Sequence, residues 1–192
     1  MKKIGLTGSI GSGKSTCIKI LQKHHIRVFD CDKINHDLIQ KNGLGYQKIV
    51  AAFGPSILNK EDEIDPKLLS ELIFKNKEKK QQLENLIHPC IKSVIQSKFK
   101  EYKNDAMIVV EVPLLFEVNW IDEFDEIWLI ASLDEIRINR LTKERGMDIK
   151  DVKKRMAAQM PQSEKIKRAD HVIFNNGSLS ELEKKIENLL YK

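Results

Sequence analysis

The run Gly8-Ser9-Ile10-Gly11-Ser12-Gly13-Lys14-Ser15 has glycine, lysine and hydroxyl at the spacing G-x-x-x-x-G-K-[ST], and that spacing serves the capture of a polyphosphate. Glycines at 8, 11 and 13 let consecutive backbone N–H groups curl around a β-phosphate. Lys14 places a cation near the β and γ oxygens, and Ser15 offers its hydroxyl to Mg²⁺. The segment therefore predicts a nucleoside triphosphate held with Mg²⁺. A strand-like run, Lys3-Ile4-Gly5-Leu6-Thr7, precedes the loop. The apolar positions Cys17, Ile18, Ile20 and Leu21 after it fit a helix whose positive N-terminal end faces the anion.

Transfer of a phosphoryl group to a hydroxyl also needs a group that orients the acceptor or takes its proton. Asp30-Cys31-Asp32 stands at the end of a second apolar run, the edge at which open parallel sheets bind ligands. Asp32 is the candidate base, with Asp30 expected nearer the strand and the core. Asp32 is equally suited to capping a helix from Lys33 to Lys41. A third run, Ile108-Val109-Val110-Glu111, closes on an acid in the manner of a Walker B carboxylate, so Glu111 is a candidate to hold the metal through water or to touch the acceptor. Leu114-Leu115-Phe116-Glu117 then brings apolar surface and a carboxylate to the same edge, although the leucines would serve helix packing as well. His88-Pro89 is expected to end or kink a helix, a structural role at least as apt as a ligand role. Arg137, Arg140, Lys143, Arg145, Lys153, Lys154 and Arg155 crowd one stretch, and arginines there could reach a transferring phosphoryl group. Asn59-Lys60-Glu61-Asp62 matches a guanine-reading pattern but has no D-x-x-G partner, and His24-His25 reads as a helix C-terminal cap.

The elements that position these residues alternate. Strands are expected at Lys3–Thr7, Arg27–Asp30, Met107–Val112, Glu126–Ile130 and His171–Phe174, set among helical stretches, which gives an α/β fold with a five-stranded parallel sheet flanked by helices. Helical spacing without period-2 alternation fills residues 33–105, an insert in which Asp65-Pro66 starts one helix. Ser132-Leu133-Asp134-Glu135 and Ser178-Leu179-Ser180-Glu181 match capping boxes, the first predicting a helix running toward Arg145. The chain is thus expected to be one domain with a core (about 1–32, 106–132 and 169–192) and a helical insert (about 33–105).

Composition narrows the class. With 192 residues the chain has room for one α/β core and a subdomain. The formal charge of +5 arises from lysines dispersed among acids, which reads as solvated helix faces and not as a nucleic-acid surface. No apolar run reaches the roughly 20 residues of a membrane span, and Gly5, Thr7 and Gly8 interrupt any signal-peptide core. Cys17, Cys31 and Cys90 lack paired spacing, so free thiols in a reducing cytoplasm are expected.

Taken in order, the segments resemble the dephospho-CoA kinase family. Gly5-Leu6-Thr7-Gly8-Ser9-Ile10-Gly11-Ser12-Gly13-Lys14-Ser15-Thr16 resembles its opening G-L-T-G-G-I-G-S-G-K-S-T, Asp30-Cys31-Asp32 its D-A-D, and Leu86-Ile87-His88-Pro89 its L-I-H-P. Glu111-Val112-Pro113-Leu114-Leu115-Phe116-Glu117 resembles D-V-P-L-L-F-E. Arg155 to Pro161 resembles R-I-x-x-Q-M-P, and Ala169 to Gly177 the closing A-D-x-V-I-x-N-x-G. The resemblance implies ATP-dependent phosphorylation of the ribose 3′-hydroxyl of dephospho-CoA, with Mg²⁺, by a monomer or small homo-oligomer. It also implies a single P-loop kinase domain in which the helical insert (about 33–105) is the acceptor's platform and residues of about 133–161 form a lid, with Asp32, Lys14 and Arg140 as catalytic residues. Nucleotide contacts are implied for Gly8, Gly11, Ser12, Gly13, Lys14, Ser15, Thr16 and Asn175, acceptor contacts for Asp32, His88, Leu115, Phe116 and Glu117, and metal contacts for Ser15 and Glu111. Glu111 replaces the family's Asp, Ser9 replaces a glycine, and Arg145 follows Arg140 one residue later than the family's second arginine. A kinase for another small acceptor and a nucleic-acid-dependent ATPase are the competing readings.

Overall fold

Strand β1 (Lys2–Gly8) is an apolar run whose residues from Ile4 onward are buried, as a strand covered on both faces must be. The computed structural model describes residues 1–74 and 76–191. Around β1 the strands β2 (Arg27–Asp30), β3 (Met107–Glu111), β4 (Glu126–Ala131) and β5 (His171–Phe174) form a sheet of order β2-β3-β1-β4-β5. β1 pairs in parallel with β3 and β4, and β4 pairs in parallel with β5. The expected five strands are all present, within a residue or two at their ends.

Two units divide the described chain, Met1–Phe29 with Asn104–Lys192, and Asp30–Lys103. In the first, the sheet unit, helices α1 (Lys14–Lys23) and α9 (Leu179–Leu190) cover one face. Ile4, Leu6, Cys17, Ile20, Leu21, Trp128, Ile173, Leu182 and Ile186 share that core. On Gly5 a methyl group would come within 2.7–2.9 Å of Leu115, Phe124 and Ile127, so glycine is what lets those side chains close on the strand. Ser178 caps α9 through the Glu181 N–H, as its capping box predicts.

The other predicted box is a correction. Ser132 does not cap the following helix α6 (Asp134–Asn139); its N-cap residue is Leu133, without a side-chain bond. The Ser132 hydroxyl, buried, instead donates to Asn175 O at 2.7 Å and lies 3.2 Å from Ser12 O. Nor does the α-helix run on to Arg145. Arg140–Glu144 is a π-turn, in which Thr142 Oγ1 donates to Ile138 O at 2.9 Å. A π-turn holds one more residue than an α-turn, and this one spans the residues from Arg140 up to Arg145. Helices α7 (Ile149–Ala157, capped by Asp148) and α8 (Gln162–Arg168) complete the unit.

The second, helical unit contains helices that precede α6 in the chain: α2 (Cys31–Ile39), α3 (Tyr46–Phe53), α4 (Pro66–Phe74) and α5 (Lys77–Glu101). Its core gathers Ile87, Cys90, Ile91, Ile95 and Phe99 of α5 with Leu38, Ile49, Ile57 and Leu69. Asp65 starts α4 as expected, accepting from Lys67 N at 2.7 Å and Leu68 N at 3.3 Å. His88-Pro89 does not end a helix. Pro89 sits inside the 25-residue α5, where it removes a single backbone donor while the flanking apolar residues keep the helix packed. Asn59 Oδ1 accepts from the N–H groups of Glu61 and Glu63, so the guanine-reading pattern is a turn-forming asparagine. None of the described helices is long and apolar enough to cross a membrane.

Candidate active site

The phosphate loop bends through two left-handed positions, Gly11 at φ +78° and Gly13 at φ +97°, that glycine adopts without strain. At Gly13 a methyl group would stand 2.1 Å from Asn175 Nδ2, so the absence of a side chain also admits a neighbour. That neighbour belongs to a set of side chains that hold the loop's carbonyls from outside. Arg137 Nε donates to Ile10 O at 3.0 Å, Arg140 Nη1 to Ser12 O at 3.3 Å, and Asn175 Nδ2 to Ser12 O at 2.9 Å. A peptide whose C=O is fixed outward presents its N–H inward, so these bonds orient the loop as an anion nest. The Ile10 N–H is an exception, donating to Gln159 Oε1 at 2.9 Å.

Lys14 and Glu111 meet beneath the loop. Lys14 Nζ donates to Gly8 O at 2.9 Å and stands 3.9 Å from Glu111 Oε1, each side chain mostly buried. β3 delivers Glu111 there because it runs beside β1 with Glu111 in register with Leu6. Burial, reinforced by the Glu111 charge, pushes the nearby Cys17 thiol up to about 12, so this cysteine is an inert core residue.

The loop suits a bound triphosphate. The hydroxyls of Ser9 and Ser12 are buried and have no hydrogen-bond partner among the described residues, which matches phosphate oxygens as the missing acceptors. Ser15 is exposed at the start of α1 and Thr16 lies beside it. No three His, Cys, Asp or Glu residues group as a metal cage among the described residues. Ser15 with one carboxylate is the sparse donor set that Mg²⁺ uses when phosphates and waters complete its shell.

A cavity of about 190 Å³ opens beside the loop's far end, lined by Gly11, Gly13, Ser15, Thr16, Asn175 and Arg140 among others. Asn175, at the end of β5, lies between this cavity and the loop. A second cavity of about 470 Å³ borders Ser9, Arg137, Met156 and Gln159.

The residues expected to meet the acceptor are differently placed. Leu115 is fully buried against Gly5, and Phe116 is buried with the Arg168 guanidinium 5.0 Å from its ring centre, so the exposed apolar member of the run is Leu114. Glu117 Oε1 stands 2.8 Å from the Nζ of a wholly buried Lys165 and accepts from Met160 N at 3.0 Å. Burial works against the Glu117 charge, but the Lys165 bond, the Met160 N–H and its own backbone outweigh it and hold the carboxyl below the usual range.

Asp32 and His88 belong to the helical unit. Asp30, not Asp32, caps α2, accepting from Asp32 N at 2.8 Å and Lys33 N at 3.1 Å, and Asp30 is exposed instead of near the core. The cap falls to the residue just before the helix, which starts two residues earlier than expected. Asp32 is exposed in the first turn. His88 is half-buried on α5. Burial lowers its pKa, Lys92 adds to the lowering and Glu84 opposes it, so the ring is neutral at pH 7.

Sequence reasoning missed the buttresses Gln159, Lys165 and Ser132. Gln159 stands in the R-x-x-x-Q-M-P segment, a usable signal, whereas nothing marks Lys165 as a lysine that folds inward.

The model of the dephospho-CoA kinase family matches residues 2–181. The dephospho-CoA kinase of Fusobacterium nucleatum is 41% identical over 185 residues, covering 96% of this chain and 94% of its own. Among solved structures, TT1252 from Thermus thermophilus is 30% identical with a TM-score of 0.86, covering 98% of this chain and 96% of that one. The dephospho-CoA kinase from Campylobacter jejuni is 32% identical with a TM-score of 0.72, covering 98% and 94%.

Proposed function

The chain belongs to the dephospho-CoA kinase family, enzymes that phosphorylate dephospho-CoA with ATP in coenzyme A biosynthesis, and from that premise we propose which of its residues carry the reaction. The triphosphate lies in the loop Gly8–Ser15, with its β- and γ-phosphates on the inward N–H groups and on the Ser12 hydroxyl. Lys14 leaves Gly8 O and turns to the phosphate oxygens, since a phosphate anion is a better acceptor for an ammonium than a neutral carbonyl. Glu111, directly or through water, and Ser15 would hold Mg²⁺, which would supply neutralisation of phosphate charge. One observation carries the reading: three side chains from α6, the π-turn and the end of β5 fix the loop carbonyls outward, so the anion nest exists before the nucleotide arrives.

The acceptor is the ribose 3′-hydroxyl of dephospho-CoA. Its oxygen attacks the γ-phosphorus in line, the new O–P bond forms as the bond to the β–γ bridging oxygen breaks, and the proton passes to the Asp32 carboxylate. Asp32 is suited to this because the cap of α2 is already made by Asp30. Arg140 stands beside the loop and Asn175, at the margin of the nucleotide cavity. Glu117, Leu115, Phe116 and His88 shape and support the acceptor's surroundings. We assign the enzyme to the cytoplasm, in keeping with described helices none of which is long and apolar enough to cross a membrane.

Coupled ADP release measured with dephospho-CoA, AMP, UMP, adenosine and no acceptor tests the assignment. Turnover with dephospho-CoA at least about a hundredfold above each alternative is expected. Equal turnover with AMP or UMP would assign the chain to another acceptor.

A further inference from the structure

The turn that opens the phosphate loop is held from outside at two consecutive peptides. The Ser12 N–H donates to Ser9 O at 3.1 Å, and Gly11, third in that turn, has φ +78°, the mark of a type II turn. Its central peptide is fixed by Arg137, whose Nε donates to Ile10 O at 3.0 Å. The peptide before it is fixed by Gln159, whose Oε1 accepts the Ile10 N–H at 2.9 Å. The N–H and C=O of a trans peptide point opposite ways, so drawing the Ile10 N–H toward Gln159 aims Ser9 O the other way, where it takes the Ser12 N–H. Gln159 thus sets the bond that closes the turn.

The place of this turn along the loop says which phosphate it serves. Lys14 Nζ stands at Gly8 O, one residue before the turn, and the lysine of such a loop meets the β and γ oxygens. The cavity beside Gly13, Ser15 and Thr16 is at the other end and leaves room for the nucleoside. The turn Ser9–Ser12 therefore borders the γ end. Gln159 is braced in its own turn. Its N–H donates to Met156 O at 3.3 Å, and the next N–H, of Met160, donates to Glu117 Oε1 at 3.0 Å. Gln162 then brackets Ser132, accepting from its N–H at 3.2 Å and donating to its C=O at 3.0 Å. The link from α7 to α8 is fastened to the segment after β3 and to the end of β4, and Gln159 is the side chain it extends to the loop.

We propose that Gln159 is a positioning residue for the γ-phosphate, acting through the Ile10 peptide to hold the γ end of the loop in the form that a triphosphate needs and a diphosphate does not. This rests on the reading that the triphosphate occupies the loop Gly8–Ser15.

The test is calorimetric binding to the full chain of Mg²⁺-ADP and of the Mg²⁺ complex of β,γ-imido-ATP, whose γ-phosphate is not transferred. Gln159→Met keeps the length of the side chain and removes the acceptor. It should weaken the imido analogue about five- to twentyfold and leave ADP within twofold, which also reports a folded loop. With ATP, kcat should fall about ten- to a hundredfold, the scale of a displaced reacting group, while KM for dephospho-CoA stays within about twofold. Gln159→Glu retains an oxygen acceptor at the same reach, with Arg137 on the same cavity wall to balance its charge, and should recover at least half of each loss on a logarithmic scale. Analogue binding and kcat within twofold of the parent in Gln159→Met overturn the proposal. Equal losses for the analogue and ADP overturn it too, because the side chain is then a general brace of the loop, and so does a Gln159→Glu variant no better than Gln159→Met. Lys14→Ala keeps the two readings apart, since undiminished binding of both nucleotides there is a failure of the phosphate-loop reading whatever Gln159 does.

Discussion

Glu117→Gln should destabilise the sheet unit more than Lys165→Met, although the two variants break the same ion pair. The reason is the unequal burial of the partners. Lys165 is 0% exposed and Glu117 22%, with 2.8 Å between Nζ and Oε1. No carbonyl or hydroxyl among the described residues accepts a hydrogen bond from the ammonium. Removing the Glu117 charge therefore leaves a cation inside the protein with no counter-charge, a change that costs about 3–5 kcal/mol. Removing the Lys165 charge leaves a carboxylate that keeps the Met160 N–H and reaches water, so about 1–2 kcal/mol is lost. With a urea m-value of about 2.5 kcal/mol/M, the midpoint should fall by about 1.5 M for Glu117→Gln and about 0.5 M for Lys165→Met. Trp120 and Trp128, both buried in the sheet unit, report that transition by fluorescence. The double variant should regain part of the Glu117→Gln loss, because no lone charge remains. The pH dependence has a definite sign. The folded Glu117 pKa lies below its unfolded value, so the stabilisation is full above the ordinary 4.5 and is lost as pH falls through the folded value. The gap between parent and Glu117→Gln should be constant from pH 8 to about pH 5 and close below it. A Lys165→Met loss equal to or larger than that of Glu117→Gln refutes the reasoning.

Gly13→Ala combines a left-handed φ of +97° with a methyl group 2.1 Å from Asn175 Nδ2, so kcat/KM for ATP should fall at least about a hundredfold; ATP titration measures it, and a loss under tenfold means the loop accommodates the methyl group. Asp32→Asn should lower kcat about 10²–10⁴-fold with the thermal midpoint within about 1 °C, since the cap of α2 belongs to Asp30; a few-fold change in kcat leaves Asp32 a structural residue. Glu111→Gln should lower turnover and raise the Mg²⁺ concentration needed for half-maximal rate, while Glu111→Asp keeps most of both; turnover against Mg²⁺ for the three proteins decides it.

Elements that depend on local pattern were readable. The five strands are short apolar runs between helical stretches, and Asp65 and Ser178 cap helices because a short polar side chain before a helix has few other uses. Ser132 has the same local pattern and a different fate, since Asn175 O, distant in sequence, competes for its hydroxyl. Asp30 and Asp32 were misordered because the helix begins at Cys31, a boundary set by packing and not by propensity. In the candidate site, the loop and Glu111 were visible as residue types at the ends of strands, and Asn175 was named only through the resemblance. The π-turn, the burial of Leu115 and the inward Lys165 were not, because each is decided by what packs against it across the sheet unit. The resemblance supplied the acceptor, which no spacing in the chain names.

The bond from Asn175 to Ser12 joins two residues 163 positions apart. Translation runs from the amino end, so Ser12 of the glycine-rich loop is made 163 residues before Asn175, its outer support. Arg137 and Arg140 emerge earlier, but the strand that carries Asn175 pairs with β4 only after residue 174 has been made. Until β5 pairs with β4, the Ser12 carbonyl has the Arg140 guanidinium as an outer donor but not the Asn175 amide, so the aim of the loop is completed by a long-range pairing and not by the loop's own sequence.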